Sequence, residues 1–545
     1  MHISRVYIEN FKCFKGGFKL NLNEGVNVLV GNNEAGKSTI IEAIHLALTG
    51  LVNGRYLKNE LTQYIFNIDV LNDYIKELSN KGTPIPPHIL IEIYIEGNDI
   101  ALLEGTWNSE KSKSAGISLK IHFDDKYQKE YEDLINAGGV KTLPIEYYTI
   151  SWSSFAQDEG ITARAIPIKS ALIDSSSNKT QNGSDVYISR IVKEFLESRE
   201  VVEISQAHRK MKEVFMDDEA VRKINDKIGL AAKISEKNVK LSVELSSKNA
   251  WESSLMTYLD DIPFHFIGKG EQCIIKTKLA LSHNKAKEAN LLLLEEPENH
   301  LSHSKLNQLL NDIKGDNTNK QIIISTHSSY VANKLGLENL ILLNNRKTLS
   351  LSDLTPDTYG FFKKLAGYDT LRLLLCSKAI LVEGDSDELI VQKAYIKTNG
   401  KLPIESGIDV ISVGTSFLRF LEIAVKVNKT VCVVTDNDGN VEALNDKYKE
   451  YLGDNAKDFI KICFDSTVDT GNLVIGDKKF NYNTLEPKLL KINSVKKFNT
   501  VFGTTHQTED EMHKYMKSDK TGCALKIFET KEEITFPQYI LDSIQ

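Results

Sequence analysis

The sequence predicts an α/β protein with two parallel-sheet regions and a helical insertion within the first. Three observations carry that prediction. The stretch "VNVLVGNNEAGKSTIIEAIHLALTG" (26–50) places a glycine-rich turn between an apolar strand and an amphipathic helix. From 378 onward a strand–helix alternation runs through "KAILVEG", "IDVISVG" and "TVCVVTDNDG". Such alternation makes a parallel sheet with functional groups at the carboxyl ends of its strands. Between the two, residues 186–245 are rich in Lys and Glu with helical periodicity. At 545 residues the chain exceeds what one hydrophobic core serves, so two or three domains are expected.

Taken in order, "SRVYIENFKCF", "FKLNL" and "VNVLVG" read as strands, and the helix after the turn closes on Gly50. Short alternating runs such as "HILIEIYIEG" and "GISLKIHF" across 88–150, separated by polar loops, predict an antiparallel meander. "DSSSNKTQNGSD" (174–185) has linker composition. The helical stretch after it reads as a solvated arm with salt bridges on its face, or as an arm for dimerisation or DNA. At about 262 the alternation resumes with "LLLLEEPENHL" and "QIIISTHSSYVANKL". The expected divisions are 1–170 and 251–350 for one nucleotide-binding domain, 171–250 for its inserted arm, 351–377 for a linker, and 378–545 for the second domain.

Composition narrows the class. Hydrophobic residues make up 41% and charged residues 26%, as in an ordinary globular protein. A net charge of −7 argues against a generally basic nucleic-acid coat, although bound cations invert the field locally. The six cysteines stand singly and form no CxxC, which disfavours zinc ribbons and thioredoxin-like chemistry. Cys432, inside an apolar run, reads as a small buried hydrophobe. No apolar run reaches the roughly 18 residues of a membrane span, and the first residues alternate rather than form an apolar leader. A cytoplasmic protein with no membrane partner is expected.

"GNNEAGKS" (31–38) satisfies GxxxxGK[ST] at every fixed position. Gly31 and Gly36 let backbone N–H groups curl around phosphate oxygens, with Asn32 and Asn33 in the same loop. Lys37 reaches the outer phosphates, Ser38 ligates Mg²⁺, and Thr39 follows at the helix start, where the dipole favours an anion. ATP is therefore the expected cofactor. In "LLLLEEPENHL" a buried strand delivers Glu295 and Glu296; one carboxylate can hold the metal shell while Glu296 orients an attacking water. His327, after the next strand, stands where a histidine can contact the terminal phosphate.

A second acidic constellation lies downstream. "VCVVTDNDG" ends a strand with Asp436 and Asp438, whose side chains share one face of an extended segment. "AILVEGDSDEL" ends another strand with Glu383, and Asp387 lies four residues later on the following helix. Three or four carboxylates at the mouth of one sheet repel each other unless a cation sits between them. An all-oxygen set favours Mg²⁺ or Mn²⁺, with room for two metals. A lone DxD is often a turn; a Glu-Gly strand end followed by DxD one βα unit later is far more specific.

The first group of motifs resembles the ATP-binding-cassette (ABC) ATPases of the RecF, Rad50 and SMC type, through the "ISRVYIENFKCF" opening, the phosphate loop, "EEPENHL" and "STHSS". That resemblance implies ATP sandwiched between two heads, hence a homodimer or higher homo-oligomer. The stretch matching the family's signature is "GKGEQ" (268–272), in which lysine replaces a residue of the usual serine-glycine-glycine pattern. ATP binding is still expected, while the departure counts against fast dimer-driven hydrolysis without excluding it. The second group resembles the Toprim domain of topoisomerases, primases and some nucleases. An ABC-type P-loop ATPase domain with a helical dimerisation insertion, followed by a parallel-sheet Toprim domain, resembles the OLD (overcoming lysogenization defect) nucleases, including Gabija-type large subunits and retron-associated effectors. The family pattern implies a further metal-binding acid, matched by Glu486 in "NTLEPKLL", and a C-terminal catalytic lysine, matched by Lys520 with Lys517 in reserve.

The resemblance implies a metal-dependent DNA endonuclease under nucleotide control, acting in antiphage defence. Its site would hold Glu383, Asp387, Asp436, Asp438 and Glu486 around the metal, with Lys520 as the remaining cation. A helicase-like protein or retron RNA/DNA would be its partner. The rival readings are a DNA-repair ATPase with a non-catalytic acidic domain, and a nucleotide-responsive scaffold or toxin component.

Overall fold

The structure, a computed structural model, describes the chain apart from residues 33, 53–54, 81, 99, 159–160, 163–164, 175–179, 182–183, 186–195, 232–257, 283–288, 300, 317–319, 345, 351–352, 365–371 and 374. The chain gathers into two compact units. One comprises Met1–Asn27 and Ser38–Thr326, the other Val28–Lys37 and His327–Gln545.

The first strands follow from period-two alternation. β1 (His2–Glu9) buries Ile3, Val6 and Ile8, and β2 (Gly17–Asn21) buries Phe18 and Leu20. Along the chain come β3 (Val26–Gly31), an apolar run closing on Gly31, and the helix α1 (Lys37–Thr49), which ends before Gly50 at a φ of 71°. The meander supplies β4 (Ile89–Glu96), β5 (Ser114–Phe123) and β6 (Tyr148–Ser154). They form an antiparallel sheet in the order β2-β1-β4-β5-β6.

A short strand, β7 (Ser170–Asp174), falls inside the segment expected to begin the helical insertion. Of that arm, α2 (Ser198–Asp217) and α3 (Glu219–Ala231) are described; the rest of the expected helical stretch lies outside the described residues. The helix α4 (Lys269–Ser282) begins within "GKGEQ", so the signature-like segment forms a helix start. Next come β8 (Leu291–Glu295) and β9 (Gln321–Thr326), and β7-β8-β9 pair in parallel with Leu172 opposite Leu293 and Leu293 opposite Ile323. Leu291–Leu294 are all buried, which explains a continuous leucine run where an edge strand would alternate.

In the other unit, residues 28–31 of β3 pair in parallel with β10 (Leu340–Asn344), and β11 (Lys347–Ser350) closes antiparallel on β10. The C-terminal region then runs β12 (Lys378–Val382), α5 (Asp385–Asn399), β13 (Ile408–Ser412), α6 (Phe417–Val427), β14 (Thr430–Val434) and β15 (Ile460–Cys463). The four strands form one parallel sheet ordered β13-β12-β14-β15, as the strand–helix alternation dictates. Helices α7 (Leu485–Ile492), α8 (Glu509–Ser518) and α9 (Lys520–Glu529) complete a core that includes Ile380, Val382, Leu489, Met512, Met516 and Ile527. No described helix is long and apolar enough to cross a membrane.

Candidate functional site

The phosphate loop is held in a closed, hydrogen-bonded form. A side chain on Gly31 would collide with the Leu343 carbonyl, so glycine is needed where the strand meets its neighbour. Gly36 takes a φ of 97°, open to glycine and costly for other residues. Lys37 is almost wholly buried; its Nζ donates to the carbonyls of Gly31 (2.8 Å) and Asn32 (3.0 Å) and lies 3.2 Å from His327 Nδ1. Lys37 and His327, distant in sequence, thus meet at one loop. Asn32 Nδ2 donates to the Cys376 carbonyl at 3.1 Å. Ser38 is exposed in the first turn of α1, and Thr39 lies 3.5 Å from the Cys13 thiol. Asn33 lies outside the described residues.

In the first unit, Glu295 ends β8 and Glu296 follows in the left-handed region, at a φ of 43°. Such backbone at a polar, non-glycine residue costs on the order of 1 kcal/mol and persists only where its surroundings enforce it. Here Glu296 N–H donates to the Ser325 carbonyl at 3.0 Å, and Asn299 Nδ2 donates to Glu296 Oε2 at 2.9 Å.

The second constellation lies within one unit. Glu383 follows β12; Asp387, in the first turn of α5, accepts the Gly384 N–H at 3.0 Å. Asp436 follows β14 and accepts from Leu485 N–H at 3.3 Å across 49 residues of sequence. Asp438 takes a φ of 48° and accepts from Asn481 Nδ2 at 2.9 Å. Glu486, buried at the start of α7, pairs with Lys520 Nζ at 3.0 Å. Lys517 instead stands over the Phe480 ring at 5.6 Å.

The electrostatics have one sign. Burial, then the charges of Glu486 and Glu383, push the Asp387 carboxyl up to about 7. Burial also raises Asp436 well above the carboxylate range, reinforced by Asp387, Glu383, Glu486 and Asp438. Glu383 is raised by burial and by Asp438 and Glu486. For Lys520, burial works against the charge, but Glu486, Asp436 and Asp387 outweigh it and raise its pKa. The cluster therefore has an excess of negative charge that Lys520, and Lys447 beside Glu383, offset only in part.

Among the described residues, no three acidic, histidine or cysteine side chains are closed into a metal cage. The carboxylates instead engage Gly384 N–H, Leu485 N–H, Asn481 and Lys520. The donor set is wholly oxygen, half-buried and mutually repelling, which fits a hard divalent cation.

Sequence reasoning missed the scaffold behind these acids. Asn437, between the two aspartates, is buried and donates to the carbonyls of Asp465 (2.5 Å) and Thr467 (3.0 Å). Lys488, 3% exposed, bonds Asp465 Oδ2 (2.9 Å), Asp469 Oδ2 (2.7 Å) and the Thr467 carbonyl (2.7 Å). It thereby ties the loop after β15 to α7, two residues from Glu486. The signal was the acid-spaced "DSTVD" followed by a lysine on a helix, indistinguishable in sequence from a surface ion pair.

Burial raises Asp465 and Asp469, but bonds from Lys488, joined by Thr467 at Asp465 and Lys491 at Asp469, more than compensate and hold both below the usual carboxylate range. Their stabilisation is thus complete above the unfolded pKa of about 4 and is lost as pH falls through the depressed folded values. Lys488→Met is expected to destabilise the chain by about 3 kcal/mol at pH 7 and to flatten its stability loss on acidification. Urea melts between pH 7 and pH 3 read both effects.

The AAA domain family matches residues 5–323, and the Overcoming lysogenization defect protein-like TOPRIM domain matches residues 374–438. Endonuclease GajA of Bacillus cereus (strain VD045) is 21% identical over 467 residues, covering 80% of this chain and 75% of that protein. The DNA replication and repair protein RecF of Caldanaerobacter subterraneus subsp. tengcongensis is 27% identical over 138 residues, covering 25% of this chain and 35% of that protein. Among solved structures, an Smc head bound to the C-winged helix domain of ScpA is 17% identical, covers 65% of this chain and 99% of its own, and has a TM-score of 0.31. The SMC head domain from Thermotoga maritima is 13% identical, covers 63% and 94%, and has a TM-score of 0.29.

Proposed function

From a chain that belongs to the AAA domain family over residues 5–323 and carries an OLD-like TOPRIM domain after it, we infer a nucleotide-regulated, Mg²⁺- or Mn²⁺-dependent DNA endonuclease. The observation that carries the reading is the cluster of Glu383, Asp387, Asp436, Asp438 and Glu486, drawn from two strand ends and two helix starts, with Lys520 paired to Glu486. The similarity to endonuclease GajA, which spans 80% of the chain, points the same way.

In this reading the five acids hold one or two divalent ions, which when bound lower the pKa of water and offset charge on a phosphodiester. Asp436 and Glu383 would hold a cation from the ends of two adjacent strands. Asp387, anchored on Gly384 N–H, completes the donor set from the helix. Lys520 faces the developing charge on the scissile phosphate, held in place meanwhile by Glu486. Asn437 and Lys488 keep the DxD loop from retreating under its own repulsion.

Asn32, Asn33, Gly36, Lys37, Ser38 and Thr39 would hold ATP, and Glu295, Glu296 and His327 are the acids and histidine this reading assigns to it. Two chains join through their ATPase heads and the helical arm. The protein acts in the cytoplasm, in antiphage defence, with DNA as substrate. Plasmid cleavage by the purified chain across Mg²⁺, Mn²⁺, ATP and chelator tests this directly.

Lys520→Ala is expected to lower the cleavage rate by about 10²–10³-fold, the loss seen on removing one preorganised donor to a developing anion. DNA affinity should hardly change, and Lys517→Ala should cut normally. Single-turnover rates with matched binding isotherms separate these outcomes.

A further inference from the structure

One hydrogen-bonded node joins the phosphate loop to both acid-bearing strands. The Cys376 carbonyl accepts from Asn32 Nδ2 at 3.1 Å and also from the buried Lys429 Nζ. Cys376 lies two residues before β12, which ends one residue before Glu383. Lys429 directly precedes β14, which ends two residues before Asp436. The two strands are neighbours, with Lys378 opposite Thr430 at their starts. The Lys429–Cys376 bond therefore pins together the bases of the two strands whose far ends present the candidate metal ligands. Asn32 reaches the same oxygen from the phosphate loop.

We propose that Lys429 is a positioning residue through which occupancy of the phosphate loop sets the spacing of Glu383 and Asp436. This rests on the nuclease reading above. The loop as it stands has Lys37 turned back onto the carbonyls of Gly31 and Asn32. A triphosphate drawing Lys37 outward removes a bond from the Asn32 peptide, whose side chain holds the node. The Cys376 carbonyl then redistributes toward Lys429, an ammonium that has shed its water and depends on such acceptors.

The far side of Lys429 cannot absorb the change. Asn344 Nδ2 donates to the carbonyls of Val427 (2.8 Å) and Asn428 (3.3 Å), and Lys429 N–H bonds the Ala424 carbonyl at 2.8 Å. With that backbone clamped, movement passes along β12 and β14. Each is five residues long, a stiff lever of about 17 Å at 3.3 Å per residue. Burial also lowers the Lys429 pKa.

The test uses the full chain and Lys429→Met, with supercoiled plasmid, Mg²⁺ or Mn²⁺, and a non-hydrolysable ATP analogue. In the wild type the analogue should change cleavage by about 5–150-fold, the usual range of coupling between sites. In Lys429→Met, analogue binding should persist while that ratio falls to within about twofold, whatever the nucleotide-free rate becomes. Hydrogen exchange of the wild-type chain provides a second reading that needs neither the variant nor cleavage. The analogue should alter exchange across 376–383 and 429–438. Unchanged exchange in both segments, or a full nucleotide response in Lys429→Met, overturns the proposal. A wild type that shows the exchange change but cuts no DNA upholds the coupling and removes the nuclease reading instead.

Discussion

Asp436→Asn leaves a folded chain whose DNA cleavage falls by about 10³-fold or more. A bound divalent cation supplies several kcal/mol of charge stabilisation, and each 1.4 kcal/mol is a factor of ten in rate. The amide keeps the shape of the carboxylate and its contact with Leu485 N–H is easily remade. It cannot supply the charge. The same change should raise thermal stability in the absence of metal. Asp436 has its pKa raised by burial and by four neighbouring acids, so its ionised form works against folding at neutral pH, and the amide relieves that. Activity lost while stability is gained is the expected mark of a site strained for function. Differential scanning fluorimetry beside a plasmid assay reads both, and a folded variant that cuts at the wild-type rate removes Asp436 from the mechanism.

Lys37→Ala should weaken ATP binding by about 10²-fold, since a hydrogen bond to a charged group contributes about 1.5–3 kcal/mol and Lys37 would make more than one to the phosphates. Nucleotide-free cleavage should persist, because the acids at 383–486 do not use this lysine, but at a rate shifted toward the nucleotide-bound value, because the bond from Lys37 to the Asn32 carbonyl is lost. Loss of the nucleotide effect on cleavage with cutting retained would separate the two chemistries. Isothermal titration with ATP is the direct measurement.

Much of this was legible in the sequence, for reasons that are local. The phosphate loop is readable because its chemistry needs particular residues at fixed spacing, and Gly31 shows why: any side chain there meets the Leu343 carbonyl. Leu291–Leu294 announce a buried parallel strand because no polar face interrupts them. β7 was hidden, since "SALID" is short and its pairing with β8 depends on residues more than 100 positions away. The scaffold at Asn437 and Lys488 was hidden for the same reason. Its bonds reach the 465–469 loop, and nothing in "DND" says which way the asparagine turns. Glu486 and Lys520 came from family resemblance alone; their 3.0 Å contact joins two helices that no local pattern brings together.

Conversion of supercoiled plasmid by the purified chain, with Mg²⁺ or Mn²⁺ and with excess chelator, in the presence and absence of ATP, decides whether the acids at the mouth of the C-terminal sheet cut DNA with a divalent cation. Nicked or linear product is expected in at least one metal condition, none with chelator, and none from Asp436→Asn. Intact plasmid in every metal and nucleotide condition, or equal cutting by Asp436→Asn, would remove these acids from any such chemistry.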